Sequence, residues 1–225
     1  MDVDLRAVDI AFISHGHYDH GGGLKTFLQL NGKAPVHLCA KAFEKHFASF
    51  ESGGIKFVGL DTALLENDRF VFVGENSEID GELETFSNVV CLRLNPTGNA
   101  DLLKEDGSSF VPDDFAHEQN LIVRAEGKTV LISGCSHCGI VNILERFRAE
   151  RGAWPDTVIG GFHLYNPARN VSENPELVRE IAEYLLGTGA KFYTCHCTGL
   201  ESYKRLKDIM GDSIDYLSGG MTLAL

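Results

Sequence analysis

No stretch of this 225-residue sequence approaches the roughly 20 consecutive apolar residues needed to span a bilayer, so no membrane association is expected. Basic charge is also scarce. Twenty Lys and Arg face 32 Asp and Glu, for a net charge of -12. Nonspecific nucleic-acid binding needs a basic face, so nucleic acid is not an expected partner. The opening residues, MDVDLRAVDI, are acidic where a secretory leader is basic and carry no long apolar stretch, which predicts a cytoplasmic protein. Repeats, low-complexity tracts and obvious linkers are absent, so one domain over residues 1–225 is expected. What is present is ordinary: 44% hydrophobic and 23% charged residues, enough for a packed core.

Six cysteines occur, at 39, 91, 135, 138, 195 and 197. Disulfides are rare in the cytoplasm and a chain of this length needs none, so these are read as small buried thiols. Two rival readings stand beside that one. Cys135, Cys138, Cys195 and Cys197 could form a four-thiolate zinc site, or Cys135-x-x-Cys138 a redox pair ahead of a helix.

Apolar runs alternate with amphipathic ones. AVDIAFIS (7–14), PVHLCA (35–40), GIKFVGL (54–60), RFVFVG (69–74) and NVVCLRL (88–94) read as strands; GGLKTFLQL (22–30) and KAFEKHFASF (41–50) read as helices. Residues 75–87 are polar and turn-rich, and 95–119 read as a long irregular loop. NLIVRA and TVLISG flank a Glu126-Gly127 turn, predicting a hairpin. Helical spacing follows over 138–150, a strand in DTVIGGFHL, and a helix over 175–186 with Pro175 in its first turn. KFYTCHC predicts a strand, GLESYKRLKDIM a helix and SIDYLSGG a last strand. Strands first and β–α units later predict a layered α/β fold with helices on the sheet faces.

The chemistry lies in the histidines. Five of the nine directly follow an apolar strand: His15 and His17, His137, His163 and His196. Ligand sites in such sheets sit beyond the carboxyl ends of strands. In ISHGHYDHGGGL, His15 and His17 are two apart, so an extended backbone points both the same way, and Gly16 between them lets the chain bend. Asp19 and His20 open the next helix and can turn towards the same place. Imidazole and carboxylate suit zinc, manganese or iron. His37 in a strand and His46 in a charged helix read as ordinary. His117, with Glu118, reads either as a solvated loop residue or as a contributor to the site, and Tyr18 either as packing or as pocket lining.

SHGHYDHGGG matches the His-x-His-x-Asp-His motif of the metallo-β-lactamase superfamily, and GCSHCGIVN, GGFHL and YTCHCTG follow in the family's order. From about Asp9 onward the chain resembles the branch of dihydropterin ribofuranosyl-aminobenzene phosphate synthases. The resemblance implies an αββα sandwich, two sheets between helix layers, and one or two Zn2+ ions, with Mn or Fe as alternatives. It implies His15, His17 and His137 as ligands of one ion and Asp19, His20 and His196 of a second. It also gives Asp19 a catalytic role on the attacking water. His163 stands where most of the superfamily has a bridging aspartate, and is either a ligand or a general acid or base. Family members usually begin with further strands, including one ending FDTG. The chain starts after that point and is expected to be N-terminally short, with an exposed sheet edge that favours homo-oligomers.

The activity so implied is metal-dependent hydrolysis of a small-molecule ester, phosphoester or related electrophile. The alternatives are a catalytically weak metal- or ligand-binding member and a dihydropterin-phosphate synthase-like transferase.

Overall fold

The computed structural model describes residues 3–51 and 53–224. A parallel sheet is formed by β1 (Ala11–Phe12), β2 (Val36–Cys39) and β5 (Phe70–Val73). An antiparallel sheet is formed by β3 (His46–Phe50), β4 (Gly54–Phe57), β8 (Leu102–Asp106) and β9 (Ser109–Pro112), in the order β4-β3-β8-β9. The large sheet has seven strands: β6 (Asn76–Glu78), β7 (Leu83–Phe86), β10 (Asn120–Ala125), β11 (Lys128–Ile132), β12 (Thr157–Gly160), β15 (Lys191–Thr194) and β16 (Ile214–Tyr216). Their order is β16-β15-β12-β11-β10-β7-β6, parallel from β16 to β11 and antiparallel beyond. A short separate hairpin, β13 (Tyr165–Asn166) and β14 (Val171–Ser172), follows β12 in the chain.

Register explains the core. Ile122, Leu131, Val158, Phe192 and Ile214 are successive Cα partners across five strands, and all are fully buried. Side chains of cross-strand partners share a sheet face. This apolar row therefore covers one face of the large sheet, and each member contributes about 1.5–3 kcal/mol by leaving water. Against it pack α3 (Ile140–Arg151), α4 (Pro175–Leu186) and α5 (Leu200–Met210), through residues such as Leu144, Ile181 and Leu206. The Asn174 side chain caps α4 by accepting the Glu176 amide at 2.8 Å. A second core joins Val36, Leu38 and Phe70 of the parallel sheet to Leu24 of α2 (Leu24–Leu30). Helices thus lie on both sides of paired sheets, the expected layered sandwich. No helix among the described residues is long and apolar enough to cross a membrane.

Four local readings are corrected. KAFEKHFASF is not a helix: a 3-10 turn covers Ala40–Phe43, and His46–Phe50 is strand β3, held between β4 and β8. His46 and Ala48 are buried while Phe47 is not, a period of two that the charged residues before them obscure. Residues 75–87 contain β6 and β7. NVVCLRL is no strand; Asn88 and Leu94 have φ of 58° and 49°, and β7 already occupies the ladder position beside β10. The 95–119 stretch is largely ordered, with a 3-10 turn and the β8–β9 hairpin.

The expected 120–132 hairpin is present. Its turn residues Glu126 and Gly127 have φ of 51° and 77°, the handedness that suits the twist of paired strands.

Candidate metal centre

Three neighbouring parallel strands, β11, β12 and β15, end on the same side of the large sheet, and His137, His163 and His196 follow them. His15 and His17 follow β1, and α1 (Tyr18–Gly21) presents Asp19 and His20. The two groups meet. Ring centroids lie 4.1 Å apart for His15–His20, 4.8 Å for His15–His17 and 5.0 Å for His15–His137. They are 4.2 Å apart for His137–His163 and 5.0 Å for His20–His196. Asp19 Oδ2 lies 3.1 Å from His196 Nε2 and 3.6 Å from His20 Nε2. All seven residues singled out in the sequence stand side by side.

Backbone geometry sets the aim. His163 and His196 both have φ of 50°, and Ser136, beside His137, has 57°. A non-glycine residue in the left-handed region costs about 1–3 kcal/mol. Here it turns the chain sharply after each strand. Gly16 is required for a different reason: a Cβ there would collide with the backbone carbonyl of Ala42.

Hydrogen bonds settle which nitrogens face inward. Asn99 Nδ2 donates to the His137 carbonyl at 2.7 Å, which turns Asn99 Oδ1 towards His137 Nδ1 at 3.1 Å. His137 Nδ1–H therefore donates, and its Nε2 carries the lone pair. Ser14 Oγ bonds Nδ1 of both His15 and His20, at 3.0 and 3.3 Å. The buried Nε2 atoms of His15, His17 and His137 and Nδ1 of His163 have no hydrogen-bond partner. Burial, aided by neighbouring histidines, pushes His15, His17 and His137 well below the usual histidine range, so these rings are neutral at pH 7. Neutral imidazole with a free lone pair, its other nitrogen held by a polar partner, is the ligand form. The residues present thus fit a divalent ion. Burial raises the Asp19 carboxyl, but the His196 hydrogen bond and the adjacent His20 outweigh it and leave it at about 2. The same bond raises His196.

A cavity of about 440 Å³ opens over this cluster, lined by His17, Asp19, His137, His163, Tyr165 and His196 among others. Residues 1–170 match the family model of the metallo-beta-lactamase superfamily. The chain belongs to that superfamily. This superfamily member is 31% identical to a structurally characterised metal-dependent hydrolase of the beta-lactamase superfamily, with a TM-score of 0.77 over 95% of this chain and 78% of the other. It is 29% identical to an uncharacterized protein of Methanocaldococcus jannaschii, over 92% of this chain and 75% of that one. It is 24% identical to the same organism's 7,8-dihydropterin-6-methyl-4-(beta-D-ribofuranosyl)-aminobenzene-5'-phosphate synthase, over 98% and 76%. An isothiocyanate hydrolase from Delia radicum gut bacteria shares the fold at 13% identity and a TM-score of 0.55, over 100% of this chain and 80% of that one. The architecture is that of a metal-dependent hydrolase with His- and Cys-containing clusters able to hold metal.

Several residues beside the histidine cluster were read as ordinary or left open from sequence. His46 Nδ1–H donates to Asp113 Oδ2 at 2.8 Å, and His117 Nε2 lies 3.3 Å from the same oxygen. His117 is not a solvated loop residue but is buried, as is Glu118, whose carboxylate accepts the amides of His137 and Cys138 at 2.7 and 3.1 Å. Burial lifts Glu118 to about 7 despite these bonds. His46 and Asp113 carry no local signal for such a role; sixty-seven positions separate them. Tyr18 is largely exposed at the cavity rim.

The four-thiolate and Cys135–Cys138 readings are both displaced. All six cysteines are free thiols, Cys135 has Cys197 rather than Cys138 within 4.8 Å in a potential ligand group, and no four-cysteine cluster forms among the described residues.

Proposed function

We propose that the chain is a metal-dependent hydrolase acting on a small molecule bound in the cavity over the histidine cluster. The observation that carries this is the set of buried, unpartnered nitrogens of His15, His17, His137 and His163, three of them on rings that burial keeps neutral. Leaving such atoms unsatisfied is costly unless a ligand completes them. His15, His17 and His137 would hold one ion and Asp19, His20 and His196 a second, with zinc favoured by the nitrogen-rich set and its neutral imidazoles. When bound, a divalent ion supplies Lewis acidity and makes a nucleophile of water at neutral pH.

The protein's own groups would do the rest. Asp19, kept ionised beside His196 and His20, would accept a hydrogen bond from an attacking water and orient it or take its proton. His163 faces the cavity beside His137 and would serve either as a ligand or as the group that moves a proton. The cavity size suits one small molecule. Its lining includes neither Lys nor Arg. That favours a carboxylic ester, thioester or lactone over a phosphate-bearing substrate. The alternative, a dihydropterin-phosphate synthase-like transferase, is supported by the 24% identity across nearly the whole chain.

The test is metal content of protein purified without chelator. Near-stoichiometric Zn, Mn or Fe is expected, and its loss in His15→Ala/His17→Ala. Less than about half an equivalent, or content unchanged in the double variant, overturns the proposal. His163→Ala then separates the two roles: lost metal marks a ligand, retained metal with lost ester turnover a proton carrier. Turnover of a ribofuranosyl-aminobenzene phosphate substrate, without ester hydrolysis, would select the transferase.

A further inference from the structure

Cys135 follows β11 directly, within GCSH, and is only 4% exposed. Its sulfur occupies an unusual place. Cys135 Sγ lies within 4.8 Å of ligand atoms of His15 and His137, of His20 and His196, and of His163 and Cys197. It is therefore common to three groups of potential ligands and stands between the two histidine sets. Among the described residues no other belongs to more than one such group.

The crowding around His20 Nε2 sharpens this. Cys135 Sγ and His196 Nε2 each lie 3.1 Å from that nitrogen, and Asp19 Oδ2 lies 3.6 Å away. One ring nitrogen offers a single proton or a single lone pair, so it can satisfy only one of these neighbours by hydrogen bonding. One cation touching all of them would satisfy the group at once. Zn–N bonds of about 2.0–2.1 Å and Zn–S bonds of about 2.3 Å, arranged tetrahedrally, put ligand atoms about 3.3–3.6 Å apart. The observed separations lie near that range.

The surroundings also hold the sulfur in place. Cys197 Sγ lies within 4.8 Å of Cys135 Sγ and its thiol donates to the Cys135 carbonyl at 3.6 Å, while the His163 amide donates to Cys197 Sγ at 3.3 Å. Cys197 is thereby a neighbour that positions Cys135 and is itself engaged elsewhere.

We propose that Cys135 is a sulfur ligand of the metal centre, binding as thiolate to the ion that His20 and His196 hold, on the side facing His15 and His137. The inference rests on the metal-centre reading above. On binding, the S–H bond breaks, the electron pair stays on sulfur to form the metal–sulfur bond, and the proton leaves to water. A thiolate there would add negative charge to a histidine-rich centre whose only carboxylate among the expected ligands is Asp19.

Cobalt(II) substitution tests this, because thiolate bound to cobalt gives an intense near-ultraviolet charge-transfer band that imidazole and carboxylate do not. The wild-type protein is expected to bind cobalt and show the band. Cys135→Ser should abolish it and weaken zinc binding at least about tenfold in chelator competition, while Cys197→Ser retains the band. X-ray absorption of the wild-type zinc protein needs no variant and should show a sulfur scatterer at about 2.3 Å. Cobalt bound without the band, a band surviving in Cys135→Ser, or a zinc shell free of sulfur overturns the sulfur ligand and leaves the metal centre standing. Failure to bind cobalt or zinc at all overturns both.

Discussion

His117 Nδ1 accepts the backbone N–H of Gly16 at 2.9 Å, joining residues 101 positions apart. Gly16 lies between His15 and His17, so this bond anchors the very segment that presents them. Asp113 stands behind it, facing His117 on one side and His46 on the other. The loop before β10 is thus a brace for the first half of the candidate metal centre.

Removing the charge from that brace should be felt at the centre. Burial raises Asp113, but the bonds and charges of His117 and His46 hold it well below the usual carboxylate range. Asp113→Asn is expected to cost about 2–4 kcal/mol in urea unfolding, since it removes the buried charge and turns an NH2 group either towards the two imidazoles or towards the Phe115 amide, donors that now face the two carboxylate oxygens. Zinc affinity should fall by roughly 10–100-fold, the usual effect of losing a group that orients ligands. Unchanged affinity would show that the brace serves the fold alone.

Gly16 itself should tolerate no side chain. In Gly16→Ala the Cβ meets backbone at Ala42 rather than a movable side chain, so the His15–His17 segment must shift. A loss of about 1–3 kcal/mol is expected from the overpacking. Metal titration should show at least about tenfold weaker binding. Equal binding by the variant would mean that the segment has more room than the contact allows.

Glu118 predicts a pH dependence of defined sign. Its folded value is about 7 against an ordinary 4.5, because burial disfavours the ionised form. Between these values the native state holds the proton more tightly than the unfolded chain. Stability contributed by the neutral carboxyl is therefore full below about 4.5 and falls as pH rises to about 7, by about 3 kcal/mol. Glutamine does not titrate. In metal-free protein, the wild type minus Glu118→Gln difference in unfolding free energy should decline across that window and level off above it. A flat difference would remove Glu118 as the source.

The sheet core can be separated from the site. Leu131 is fully buried and partnered by Ile122 and Val158. Leu131→Ala should cost about 2–5 kcal/mol. Metal stoichiometry at low temperature should be unchanged, because the row faces the helices. A fall in metal content while the protein remains folded would contradict that separation.

Sequence by itself determined the elements whose periodicity and punctuation are local. The 120–132 hairpin, α3, α4 from its capped Pro175, and the strands delivering His137, His163 and His196 are all in place. It also placed His137, His163 and His196 together, because neighbouring strand ends in a parallel sheet lie side by side, while joining them to His15, His17, Asp19 and His20 rested on the resemblance of their motif. Tertiary structure decided the rest. β3 overrode a helix-like composition because β4 and β8 supply its hydrogen bonds, and β7 took the ladder place that NVVCLRL was expected to fill. His46, Asp113 and His117 became one buried network, and Cys135 left Cys138 for the middle of the histidines, through contacts between segments far apart in the chain. Such contacts leave no period or spacing to read, since each partner is chosen by the fold that brings it near and not by its neighbours in the sequence.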